Sequence, residues 1–341
     1  MGDHLTVVVH KERLMMIRKM RWLIAASVCW GCASAALDAQ LPNPKPEVWM
    51  MPPASADGRA LKELFSRPDE WQETRSRIDV LGYADHVLNR QFTDEQLRLW
   101  LPRLKQWHLK LGLEVGAVKP WGITAQKTFD AQRPMWDRFS SLGGSIDALA
   151  MDEPLCCVQT SLKQSTDYAV EQTAQFIALV RAHYPEVRLG DIEPYPSLSL
   201  AELTAWIDAL EARLKQMNVR GLDFFRVDVD WCHFTLGGRI HPGNWPEVKK
   251  LEAACRQRKM AFSLIYWAAD YPALDRLKLA DDSTWYVSLM RQGNDYAFVG
   301  GSPDQYVIES WIGAPSRTVP ETEEWTFTRS VRDFSSHFLK R

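Results

Sequence analysis

The segment Leu149-Ala150-Met151-Asp152-Glu153-Pro154-Leu155 carries an apolar run straight into two adjacent acids and a proline. An ionised carboxylate is costly to bury unless it is paired. Two at the end of a buried segment therefore mark either a surface turn or a proton-transfer site. Three more stretches share the pattern: Asp191-Ile192-Glu193-Pro194-Tyr195, Asp228-Val229-Asp230-Trp231 and Glu309-Ser310-Trp311. Carboxylates held close together titrate apart, because burial and mutual repulsion raise one of them, and the pair can then serve as acid and base at one pH. Tryptophans stand beside the acids, at Trp121, Trp231, Trp267 and Trp311 among 15 in the chain. Each indole offers a broad apolar face and an N–H edge. The plainer reading of any single acid here is a structural partner for an arginine, and that of His86 or His233 a satisfied polar residue.

The elements that must position these groups alternate from residue 47 onward. Short apolar runs occur at 48–51, 78–81, 111–118, 146–151, 187–189, 222–229, 261–267 and 306–308, with amphipathic segments between them. The clearest helix, Ala201 to Met217, places Leu203, Trp206, Ile207, Leu210 and Leu214 at helical spacing. Ser199 with Glu202, and Thr93 with Gln96, predict capping boxes, and Gly221 is expected just past the end of the long helix. Eight strand-helix units of this length predict an α/β fold, a single closed (β/α)8 TIM barrel with its chemistry at the C-terminal ends of the strands. An open doubly wound sheet is the competing architecture. It would carry a glycine-rich phosphate loop after the first strand, where this chain has Met51-Pro52-Pro53.

The chain has 341 residues, 46% hydrophobic and 25% charged, enough for a large core. Arg18, Lys19 and Arg21 precede the apolar run 22–28 and the small residues Ala33-Ser34-Ala35, an order that predicts a secretory signal. The expected organisation is an N-terminal extension and signal peptide over 1–35, a linker over 36–46 and the barrel over 47–341. The expected location is periplasmic or extracellular, with no membrane span in the mature chain. Beyond residue 35 the balance is 36 basic against 41 acidic side chains, a net of −5. Such a chain is a poor partner for nucleic acid or anionic lipid. Cys156, Cys157, Cys232 and Cys255 lack zinc spacing; one or two disulfides are compatible with them, in no pairing the sequence fixes. Asp228-x-Asp230 has no H-x-H or H-E-x-x-H beside it, so neither metal nor organic cofactor is expected. The oligomeric state stays open.

A Glu-Pro pair ending the fourth strand of such a barrel resembles the (β/α)8 glycoside hydrolases, whose proton donor commonly stands there. The resemblance covers about 290 residues in architecture and only a few in motif. It implies Glu153 as the acid, with a second catalytic carboxylate among Glu193, Asp228, Asp230 and Glu309. The commonest pattern has Asn before the acid and a nucleophilic Glu ending strand seven. Here Asp152 precedes Glu153, and strand seven ends Tyr266-Trp267-Ala268-Ala269-Asp270. Substrate assistance, with Asp152 orienting an acetamido group, and two-carboxylate mechanisms of either stereochemistry both remain open. Arg226 shares a face with Asp228 and Asp230 and is expected to hold Asp228 ionised. Asp152, Trp121, Tyr195, Trp231, Trp267, Trp311 and His86 are the expected substrate contacts. The predicted activity is cleavage of a poly- or oligosaccharide. The rivals are a carbohydrate-binding barrel without chemistry, and a metal-dependent hydrolase or deacetylase built on Asp228, Asp230 and His233.

Overall fold

Strands buried on both faces need helices outside and side chains inside. The computed structural model describes residues 45–54, 57–231, 243–267 and 281–339. Eight parallel strands close into a barrel in chain order: β1 (Glu47–Met51), β2 (Val80–Ala84), β3 (Lys110–Val115), β4 (Ile146–Asp152), β5 (Arg188–Tyr195), β6 (Phe224–Val229), β7 (Ala261–Tyr266) and β8 (Gln305–Glu309). Around it, among the described residues, lie α1 (Arg59–Ser66), α2 (Gln72–Arg77), α3 (Asp85–Gln91), α4 (Asp94–Gln106), α5 (Ala125–Ser141), α6 (Pro154–Thr160), α7 (Thr166–His183), α8 (Leu200–Gln216), α9 (Trp245–Gln257), α10 (Asp282–Phe298) and α11 (Phe327–Phe338).

Local chemistry sets the boundaries. Both expected capping boxes form, at Thr93 with Gln96 and at Ser199 with Glu202. The exit from α8 differs from expectation. Asn218, not Gly221, takes the left-handed conformation, at φ 57°, because a short amide side chain tolerates that region. β3 stops at Val115, leaving Lys119-Pro120-Trp121 in a loop beyond the strand. β5 runs on to Tyr195, so Asp191 and Glu193 are strand residues and not parts of a turn.

Alternation divides each strand between two cores. Trp49, Met51, Val80, Ala148, Ala150, Ile192, Phe224, Ile265 and Val307 fill the barrel interior, and their sequence neighbours pack outward under the helices. The interior is filled unevenly, with the Trp49 indole reaching across to β3. It fits there because Gly112 has no side chain: a Cβ would lie 2.1 Å from the ring. The Arg226 guanidinium lies 4.2 Å from the centroid of the Trp49 ring, so a charged layer sits directly on the apolar one. At the opposite, N-terminal end, Glu47 accepts from Trp49 Nε1 at 2.8 Å, Lys110 Nζ at 2.9 Å and Arg188 Nη1 at 3.0 Å, and Arg188 also pairs with Asp147. That network closes the barrel floor.

Cys156, Cys157 and Cys255 are free thiols. Cys232, His233 and Asp270 lie outside the described residues, as do residues 1–44 with the expected signal segment. Among the described residues no helix is long and apolar enough to cross a membrane.

Candidate active site

Glu153 stands where β4 turns into α6, and its backbone explains its exposure to the mouth. The following proline disfavours a right-handed conformation at Glu153. Its N–H still donates to Ile192 O at 2.9 Å, prolonging the β4–β5 ladder, while its carbonyl accepts from Cys157 N at 2.9 Å and opens the helix. The residue meets both demands in the left-handed region, at φ 46° and ψ 52°. That is uncommon for a side chain without a turn-forming amide, and such positions cluster at functional sites. No described residue donates a hydrogen bond to its carboxylate. Burial, and then the charge of Asp152, push its pKa up to about 7, with Lys119 acting the other way.

Four more carboxylates face the same space. Asp152 ends β4 on the inner face and is paired to the Lys119 ammonium. Burial alone would lower Lys119, but Asp152 holds it above its ordinary value, so it stays charged. Asp228, on β6, is raised to about 8 by burial, then by Glu153 and Asp230. Glu309, ending β8, is raised to about 8 by burial and by Asp228, with Arg226 opposing. Glu114, on β3, lies in register with Ala150, one pleat deeper than Asp152. Burial, Glu309 and Asp152 push it well above the carboxylate range. Five acids thus share the mouth and upper interior with two cations, and protons must stay on some of the acids at neutral pH.

Arg226 serves a different acid from the one expected. Its charge acts on Glu309 and Glu114, and its Nε donates to Ser263 Oγ at 2.9 Å. Burial lowers it to about 10. Glu114 is not among the expected site residues because it lies within the apolar run 111–118. The available signal was a lone charge inside that run, tolerable only at an inward position with partners.

Two expected site residues are corrected. Glu193 points outward, where its carboxylate accepts from Leu155 N at 2.6 Å and Cys156 N at 3.1 Å, capping the start of α6. It supports Glu153 from behind and does not face the mouth. Tyr195 is also on the outer face, its hydroxyl donating to Glu247 Oε2 at 2.6 Å and accepting from Asn244 N at 3.0 Å. It is buried on the outer face of β5 and does not face the barrel interior. Asp191 shares that face and accepts from Trp206 Nε1 at 2.6 Å. Asp230 follows β6, its N–H bonded to Tyr195 O at 2.8 Å. Trp267 is half-buried against the inner core beside Asp228. Trp231 is half-buried with the Arg291 guanidinium 5.4 Å from its ring centroid. Trp121 and Trp311 are open, at 58% and 39% exposure.

A cavity of about 380 Å³ opens beside the mouth, between β2, β3, α3 and α5. His86, Asn89, Arg90, Trp121 and Met135 line its outer part, and Glu114, Lys119 and Asp152 its inner end. Among the described residues no cluster of three or more His, Cys, Asp or Glu is arranged to hold a metal ion.

No family model and no curated protein matches the chain. Among solved structures it is similar to a GH10 endoxylanase from a sugarcane soil metagenome, at 9% identity over 85% of this chain and 97% of that one, TM-score 0.48. A chitinase domain from Pyrococcus furiosus aligns at 14% identity over 87% and 97%, TM-score 0.47. The YdjI aldolase of Escherichia coli K12 aligns at 9% over 86% and 88%, TM-score 0.45. These proteins have different chemistries, so the likeness is one of barrel architecture.

Proposed function

We propose that the chain is a glycoside hydrolase in which Glu153 protonates the departing glycosidic oxygen, with Asp152, salt-bridged to Lys119, as the neighbouring carboxylate. The observation that carries this reading is Glu153 itself: a strained residue at the rim, raised to about 7 by burial and Asp152, to whose carboxylate no described residue donates a hydrogen bond. An acid with that pKa keeps a proton to give near neutral pH and is a competent base afterwards. Lys119 argues against an amine nucleophile. A lysine that attacks carbonyls must be neutral, whereas Lys119 is held as an ammonium by Asp152.

The test is release of reducing ends from a panel of glycans. Glu153→Gln should lower turnover by about 10²–10⁴-fold, the usual worth of a general acid. Activity unchanged in that variant would remove Glu153 from the chemistry. Glycan binding by the wild type without any cleavage would favour the binding-protein rival, and loss of activity on chelation the metal-dependent one. Nuclear magnetic resonance of the first-formed anomer separates retention from inversion.

A further inference from the structure

We propose that the cavity beside the mouth is a second sugar subsite, in which a pyranose ring stacks on Trp121 with its polar edge toward Asn89 and Arg90. The proposal rests on the reading of the mouth as a glycosidase site, and it makes the substrate a chain of at least two sugars. The volume of about 380 Å³ lies in the range of small-molecule sites, roughly 300–1,000 Å³.

The platform is built and braced. Lys119-Pro120-Trp121-Gly122 forms a tight turn closed by backbone bonds in both directions, Gly122 N to Lys119 O at 2.9 Å and Lys119 N to Gly122 O at 3.3 Å. Thr128 Oγ1 donates to Gly122 O from α5 and holds the turn down. The turn folds back over Gly116, where a Cβ would lie 2.7 Å from the Trp121 ring and 3.0 Å from Lys119 Cγ. Trp121 is therefore exposed by construction, although a ring of that size is ordinarily drawn into a core.

The polar wall has donors to spare. Asn89 Oδ1 is taken by Arg138 Nη1 at 2.9 Å, which leaves the Asn89 amide N–H₂ for the cavity. Arg90 uses Nε on His86 O at 3.2 Å, and its two terminal nitrogens make no ion pair among the described residues. An apolar face opposite several donors suits a pyranose ring, which has an apolar C–H face and a rim of acceptor hydroxyls. The Lys119–Asp152 pair links this turn to the residue preceding Glu153, so the ring on Trp121 would lie next to the one whose bond is cleaved.

The experiment uses full-length Glu153→Gln protein titrated with linear tetrasaccharides of β-glucan, xylan, mannan and chitin, followed by calorimetry and tryptophan fluorescence. At least one probe should bind with a change in indole emission. Adding Trp121→Ala should weaken that binding by about tenfold or more. Gly116→Ala, which displaces the platform and keeps it, should also weaken it, with melting temperatures checking that both variants fold. Equal affinity in both variants, or no binding by any probe, overturns the subsite. Binding that depends on Trp121 in a chain whose wild type cleaves none of the four keeps the subsite and discards the hydrolase reading.

Discussion

At the residue scale, Glu153 owes its raised pKa first to burial and then to Asp152, and Lys119 restrains it. A general acid works only while protonated, so kcat/KM should fall as pH rises through about 7. The neighbours make that limb adjustable in both directions. Asp152→Asn removes a negative charge and frees Lys119, so the limb should move to lower pH, by about one unit. Lys119→Met removes the restraint and leaves Asp152 unpaired, so the limb should move up. A pH–rate profile of the two variants checks the signs. Shifts in the same direction would mean that Glu153 is not the group titrating.

At the element scale, the barrel was legible because eight apolar runs and eight amphipathic segments alternate without a phosphate loop, and both capping boxes form at the residues that announced them. The face of each acid was less legible. A strand buried on both sides shows no polar alternation to mark inside from outside. Asp191 and Glu193, two residues apart, share one face of β5, and only the neighbouring strands and α6 show that this face is the outer one. Glu153 and Glu193 look alike in sequence, each before a proline, yet one ends in the mouth and the other holds a helix. Glu193→Ala should therefore destabilise the fold by about 2–3 kcal/mol, since it strands the buried Leu155 N–H and the part-buried Cys156 N–H. Glu193→Gln keeps an acceptor oxygen and should cost less. Urea denaturation of the two variants measures the difference. Gly112→Ala tests the interior in the same way. Its methyl would collide with Trp49, at a cost of about 1–3 kcal/mol for overpacking.

At the scale of the whole molecule, the acids gathered for the mouth, with others buried behind it, set how stability depends on pH. Glu114, Asp191, Glu193 and Glu309 are buried, Asp228 and Glu153 are half-buried, and all six are raised, chiefly because loss of solvent disfavours the charged form. From the ordinary carboxylate range up to about 8, the folded chain then holds more protons than the unfolded one, and stability must fall as pH rises through that window. The partly buried floor acid Glu47 pulls the other way. Burial would raise it, but Arg188 and Lys110 hold it below its ordinary value, so its contribution is lost only in stronger acid. The melting temperature should therefore be highest near pH 5 and decline steadily toward pH 9, instead of peaking at neutrality. Glu114→Gln, which replaces the deepest of the mouth acids by a neutral isostere, should flatten the decline without changing its sign. A flat profile between pH 5 and 9 would mean that these carboxylates are already ionised in the fold, with protein or solvent partners strong enough to offset their burial. The proton reservoir on which the proposed acid role of Glu153 depends would then be absent.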